Sequence, residues 1–189
     1  MRDSIYRIMD YAEVSPRVQA IYDESKQLMG LPFVLNWIKC QGSNEDLLTG
    51  NWAKLKGTLI MGKIPGLLKQ LIIYNVSHER KCNYCKNAHS IFANMMGQSL
   101  SETPGFQVTE NMDSELLPNS YRVAVSVITK AALKPSELTD EDIYTLSDAG
   151  FSDDEIKELM AQADLVNMLN TIADISGIKL DSEFIEMSN

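Results

Sequence analysis

Apolar residues recur along this chain at helical intervals, and the polar residues between them carry the signals that start and stop helices. Asp3 to Glu13 reads as a short helical lead-in ending before Pro16. Pro16 suits the first turn of a helix that runs to Met29 and stops at Gly30. Leu31 to Cys40 reads as a short apolar helix. Ser43 or Asn44 can cap the next one, which carries Leu47, Leu48, Trp52, Leu55, Leu59 and Ile60 at helical spacing until Gly62 and Pro65 break it. From Pro65 to Ser77 the apolar residues are too continuous for a solvated surface, so this helix is expected in the core. Ile72, Ile73 and Val76 would also suit a strand, but no partner strand is visible nearby.

Wound at about 100° per residue, positions 82 to 98 form an amphipathic helix. Asn83, Lys86, Asn87, Ser90, Asn94 and Gln98 share one arc, and Tyr84, Ala88, Ile91, Phe92, Met95 and Met96 the opposite one. The Met95–Met96 pair reads as core filler. A loop from Gln98 to Asn119 follows, long enough to act as a lid or a subunit contact. Tyr121 to Leu133 resumes a helix, although Val123, Val125 and Val127 alternate as a strand would. Thr139 caps a short helix ending at Gly150, and Ser152 with Glu155 makes a capping box for the longest helix, Asp153 to about Ser176, which Gly177 ends. Phe184 and Ile185 in the tail are expected to dock on the body or on a neighbouring subunit. The expected class is all-α, with no internal repeat, low-complexity tract or Gly-rich phosphate loop.

At 189 residues and 44% hydrophobic composition, the chain can build one well-buried domain. Its net charge of -9 argues against nucleic acid and anionic membranes as partners. No apolar run reaches the ~20 residues that span a bilayer, and Met1 to Tyr6 does not resemble a secretory signal. A cytoplasmic location is the expectation. In such a reducing compartment, three cysteines do not make a disulfide scaffold, and a lone C-x-x-C is redox-active or metal-binding. Cys40, outside that motif, reads as a packed small hydrophobe.

The candidate chemistry gathers in Cys82-Asn83-Tyr84-Cys85-Lys86-Asn87-Ala88-His89. Cys85 projects into the apolar arc with His89 one turn on, and Cys82 sits at the polar seam, so one thiol is expected to be inner and the other outer. Residues three apart on a helix stand roughly 5 to 6 Å apart at Cβ, and small adjustments at an N-terminus bring two cysteines into disulfide range. That first turn, flanked by Arg80 and Lys81, favours negative charge on sulfur. His89 can take the Cys85 proton. Peroxide would oxidise the Cys85 thiolate to a sulfenic acid, and Cys82 would condense with it to a disulfide and meet the reductant.

Taken with its surroundings, this segment resembles the AhpD-like alkylhydroperoxidase and carboxymuconolactone decarboxylase superfamily. The apolar helix Leu67 to Ser77 followed by Cys82, Cys85 and His89 carries the likeness, together with Leu138 to Ile143, Asp148 to Ile156 and Asn167 to Asp174. It covers most of residues 30 to 184, leaving 1–29 as an N-terminal helical extension and 30–189 as the AhpD-like domain. The resemblance implies an AhpD-like helical bundle, assembled as a homotrimer or homohexamer. It implies a thiol-dependent peroxidase that reduces hydroperoxides at the dithiol with a thiol reductant and no cofactor. Cys85 would attack, Cys82 resolve, and His89 relay the proton. The family's peroxidases place a relay glutamate twelve residues before the first cysteine, where this chain has Gln70. A carboxamide can orient His89 or hold a water, but it has no useful basicity. His78 or Glu79 in the following linker would have to substitute, or the peroxidase would be slow.

Two other enzyme and non-enzyme readings stand beside it. A carboxymuconolactone decarboxylase would not need the cysteines, and a redox-sensing oligomer would oxidise without cycling. A metal site is weaker, because structural zinc closes with four ligands and Cys82, Cys85 and His89 offer three, with His78 or Glu79 as a possible fourth.

Overall fold

Side chains that satisfy free backbone N–H groups set where several of the helices begin. Ser15 accepts from Val18 N and opens α1 (Pro16–Met29), which Gly30 ends in the left-handed conformation at φ 65°. A short α2 (Asn36–Lys39) is followed by α3 (Glu45–Leu55), whose cap Asn44 accepts from Leu47 N. α3 runs without a break into a π-helical turn, Lys56–Ile60. Then come α4 (Gly66–Glu79), α5 (Asn83–Gly97), α6 (Asn119–Leu133), α7 (Asp140–Asp148), α8 (Asp153–Ser176) and α9 (Ser182–Met187). Capping boxes at Thr139/Asp142 and Ser152/Glu155 start α7 and α8, and Gly177 ends α8 at φ 69°. This computed structural model describes residues 5–187, and among them there is no strand.

α4 is the central element. Leu68, Leu71, Ile72, Ile73 and Val76 have no exposed surface, each contributing roughly 1.5–3 kcal/mol of burial. α5, α6 and α8 pack around it, so β-branched residues on α4 and α6 serve a helix core and the strand alternatives fall away. α1 packs on α3, and its Val18, Ile21 and Tyr22 join the same core.

A lysine is buried in that core. Lys69 of α4, 1% exposed, reaches Glu158 Oε1 at 2.6 Å and donates to the carbonyls of Thr58, at 2.9 Å, and Met61. Gln162 Nε2 donates to Thr58 O at 2.7 Å. The π turn releases backbone carbonyls, and these side chains of α4 and α8 hold them.

Several expectations need correction. The lead-in expected over Asp3 to Glu13 is not one continuous helix: Ile5 is helical, residues 7–10 are irregular and Tyr11–Glu13 forms a 3-10 turn, with Asp3 and Ser4 outside the described residues. Leu31 to Cys40 is helical only over Asn36–Lys39, because Pro32 biases Leu31 toward extended backbone and Leu35 has no capping side chain. Asp181 supplies that cap, accepting from Asn36 N at 2.6 Å. Met95 and Met96 are 47% and 48% exposed and are not core filler. Phe184 is buried, meeting Phe33 and Phe92 edge-on at 5.2 and 5.3 Å, whereas Ile185 lies outside the described side chains. The loop after α5 is pinned down: Thr109 N donates to Asn94 Oδ1 at 3.1 Å, and Val108 packs so closely on Gly97 that a Cβ there would come within 2.8 Å of it.

Candidate active site

The dithiol is positioned by how α4 ends. Lys81 N bonds to His78 O at 3.0 Å and Cys82 N to Ser77 O at 2.9 Å, the pairing of a Schellman motif. The left-handed position of that motif is filled by Lys81 at φ 60°, where a glycine would be unstrained. The turn delivers Cys82 as the N-cap of α5, with Cys85 in the first helical turn.

Both thiols are free, and both are buried, at 0% and 1% exposed. Cys82 is therefore not the solvent-facing thiol expected from the helical wheel, because α8 covers it: its Sγ lies 3.9 Å from Asn170 O. The polar seam faces a neighbouring helix instead of water.

The two thiols lie close enough to shift each other's ionisation. Cys85 donates to Cys82, which lowers the Cys82 pKa and, together with burial, holds that of Cys85 well up. Cys82 at the helix N-terminus is the sulfur better placed to carry charge. Asp174, on the exposed side of α8, lies against Cys82 and opposes its ionisation. Asp174 is one turn beyond Asn170, which also accepts from Ser77 Oγ at 2.8 Å. The sequence signal for this α8 face lay in the Asn167 to Asp174 stretch that carries the resemblance, where Asn170 and Asp174 are four residues apart.

His89 is buried on the inner side, and burial pulls its pKa down to about 3, so the imidazole is neutral. Its Nδ1 lies 2.6 Å from Gln70 Oε1. Facing a carbonyl oxygen, Nδ1 carries the hydrogen and leaves Nε2 with its lone pair. Cys85 and His89 open together on an apolar cavity of about 30 Å³, walled by Met29, Leu59, Trp37 and Phe92. That volume holds a molecule of roughly the size of water or a peroxide O–O unit.

His78 and Glu79 do not reach this cluster. Both are exposed at the end of α4, where they face each other at 3.6 Å, so neither substitutes for the carboxylate missing at Gln70. Among the described residues, no group of three or more His, Cys, Asp or Glu is disposed to hold a metal ion. Cys40 is a buried thiol that donates to Trp37 O at 3.3 Å, with its pKa pushed up to about 11 by burial. Tyr84, between the two cysteines, donates to Asp181 Oδ2 at 2.8 Å and accepts from Trp37 N at 3.3 Å, tying the motif to the C-terminal segment. No described helix is long and apolar enough to cross a membrane.

No family model matches the chain. A stretch of 92 residues, 46% of this chain, is 32% identical to the alkyl hydroperoxide reductase Rv2159c of Mycobacterium tuberculosis. The match spans 26% of that relative's length. Among solved structures, an alkylhydroperoxidase AhpD core, a peroxidase-related protein of Ralstonia eutropha, superposes with a TM-score of 0.81 at 19% identity, covering 95% of this chain and 93% of that one. A peroxidase-related protein of a Silicibacter species gives 0.78 at 21% identity, covering 95% and 91%. The debrominase Bmp8 gives 0.72 at 21% identity, covering 90% and 89%. The chain has the AhpD-like helical fold.

Proposed function

We propose that the protein is a thiol-dependent peroxidase that reduces hydroperoxides at Cys85. The observation that carries this reading is that Cys85 shares an apolar cavity with the neutral His89, whereas Cys82 lies behind it and does not line that cavity. The Cys85 proton passes to His89 Nε2 or to the Cys82 sulfur. The Cys85 thiolate then attacks the terminal peroxide oxygen; the S–O bond forms, the O–O bond breaks, and the alkoxide leaves with the proton as an alcohol. Sulfur gives up two electrons and the peroxide takes them. The Cys82 thiolate displaces hydroxide from the sulfenic acid, which takes a proton from solvent and leaves as water, closing an 82–85 disulfide that a dithiol reductant reopens by exchange. Gln70 fixes the imidazole tautomer without taking its proton. The working form in this reading is a cytoplasmic homotrimer or homohexamer.

Thiol titration before and after addition of hydroperoxide, with mass spectrometry, tests it. Loss of two thiols with an 82–85 bridge, and no turnover in Cys85→Ser, is the expected result; full activity in Cys85→Ser overturns it. The contact between His89 and an uncharged Gln70 also favours a second reading, a redox sensor, in which the bridge forms but no thiol reductant sustains turnover.

A further inference from the structure

The cavity at Cys85 is too small for the carbon skeleton of an organic hydroperoxide. A second, larger hollow of about 210 Å³ lies beside it, lined by Leu28, Leu59, Ile60, Gly66, Gln70 and Met96, and the two share Met29, Leu59 and Phe92. Gln70 stands in the wall of the outer hollow while its amide holds His89 of the inner one. At the mouth, Leu28 and Met96 are 40% and 48% exposed. The outer lining carries no charged side chain.

We propose that this outer hollow is the substrate vestibule, and that Phe92 and Met29 form the gate between it and Cys85. The proposal rests on the peroxidase reading for its substrate, which would be a hydroperoxide with a short alkyl or aryl tail. The volume is below the roughly 300 Å³ at which drug-sized ligand sites begin, so the tail is small. Two further observations support it. One wall comes from the π turn, whose Leu59 and Ile60 the Lys69, Glu158 and Gln162 cluster holds in place, and π turns recur at functional sites. The gate ring of Phe92 packs 6.1 Å from the His89 ring and edge-on against Phe184, so its position is linked to both the catalytic imidazole and the C-terminal segment. Met29 gives the N-terminal helix a part in the reaction: it separates the tail from the reacting sulfur.

The test uses Gly66→Leu to narrow the mouth and Phe92→Ala to open the gate. A Cβ at Gly66 would meet only the end of Met96, at 3.6 Å, so the substitution fills space without displacing backbone. The first readout is the rate of thiol loss with cumene hydroperoxide divided by the rate with hydrogen peroxide. That ratio should fall at least tenfold in Gly66→Leu and rise in Phe92→Ala; an unchanged ratio in both overturns the vestibule. The second needs no peroxidase activity: Cys85 labelling by N-phenylmaleimide, compared with a charged methanethiosulfonate and located by mass spectrometry. The apolar reagent should react faster, and Gly66→Leu should slow it. If neither peroxide oxidises the dithiol but labelling follows this order, the peroxidase reading fails and the vestibule stands. Labelling that both variants leave unchanged, or that rises only on dilution because a second copy covers the mouth, overturns the vestibule.

Discussion

Gln70 Oε1 sits 2.6 Å from His89 Nδ1, so the buried imidazole is oriented by a group that cannot accept its proton. A carboxylate there would share the charge that His89 gains on deprotonating Cys85. Gln70→Glu should therefore raise the rate of thiol oxidation by hydroperoxide about tenfold, less than the roughly 10²–10⁴ of a group that itself takes the proton, because the carboxylate acts through His89. It should also lower the melting temperature, because it adds a charge to a site of 6% exposure. Stopped-flow oxidation rates with thermal melts measure both, and an unchanged rate means the imidazole is not limiting.

Stability should depend on His89 in mildly acidic solution. Its folded pKa is about 3, against an ordinary value of 6.5. Between these values the unfolded chain binds a proton that the folded chain does not, so stability rises with pH across the window. The full contribution is present above about pH 6.5 and is lost on acidification at roughly 1.4 kcal/mol per unit. Urea unfolding from pH 6.5 to 4.5 should show this slope, and His89→Asn should flatten it.

Breaking the buried Lys69–Glu158 pair should be among the costliest single changes outside the active site. Lys69→Met takes the cation from a partly buried carboxylate and the donor from Met61 O, while Thr58 O keeps Gln162, a loss of about 3–5 kcal/mol. Lys69→Met with Glu158→Leu should recover part of it. Chemical denaturation of the two variants decides whether the pair or the lysine stem matters.

Lys81→Gly should stabilise the fold by up to about 1 kcal/mol, since it relieves a left-handed residue at φ 60°. The gain is offset by the greater freedom glycine gives the unfolded chain. Lys81→Val should destabilise it, and thermal melts of the two should move in opposite directions.

Local chemistry alone fixed much of this molecule. Pro16 and Gly30, Thr139 with Asp142, Ser152 with Glu155, and Gly177 each act on backbone groups within a few residues, and the helix ends fall where those residues stand. The placement of Cys85 and His89 on one face of one helix was equally legible, because helical periodicity sets it. Tertiary structure decided what that face and its neighbours meet. Asp181 caps α2 from 145 residues away, α8 covers the Cys82 sulfur, and Lys69 is drawn into the core by a carboxylate on another helix. Capping and periodicity are short-range and can be read in order along the chain; burial, thiol ionisation and cavity shape depend on which distant surfaces pack together, and only the folded arrangement specifies them.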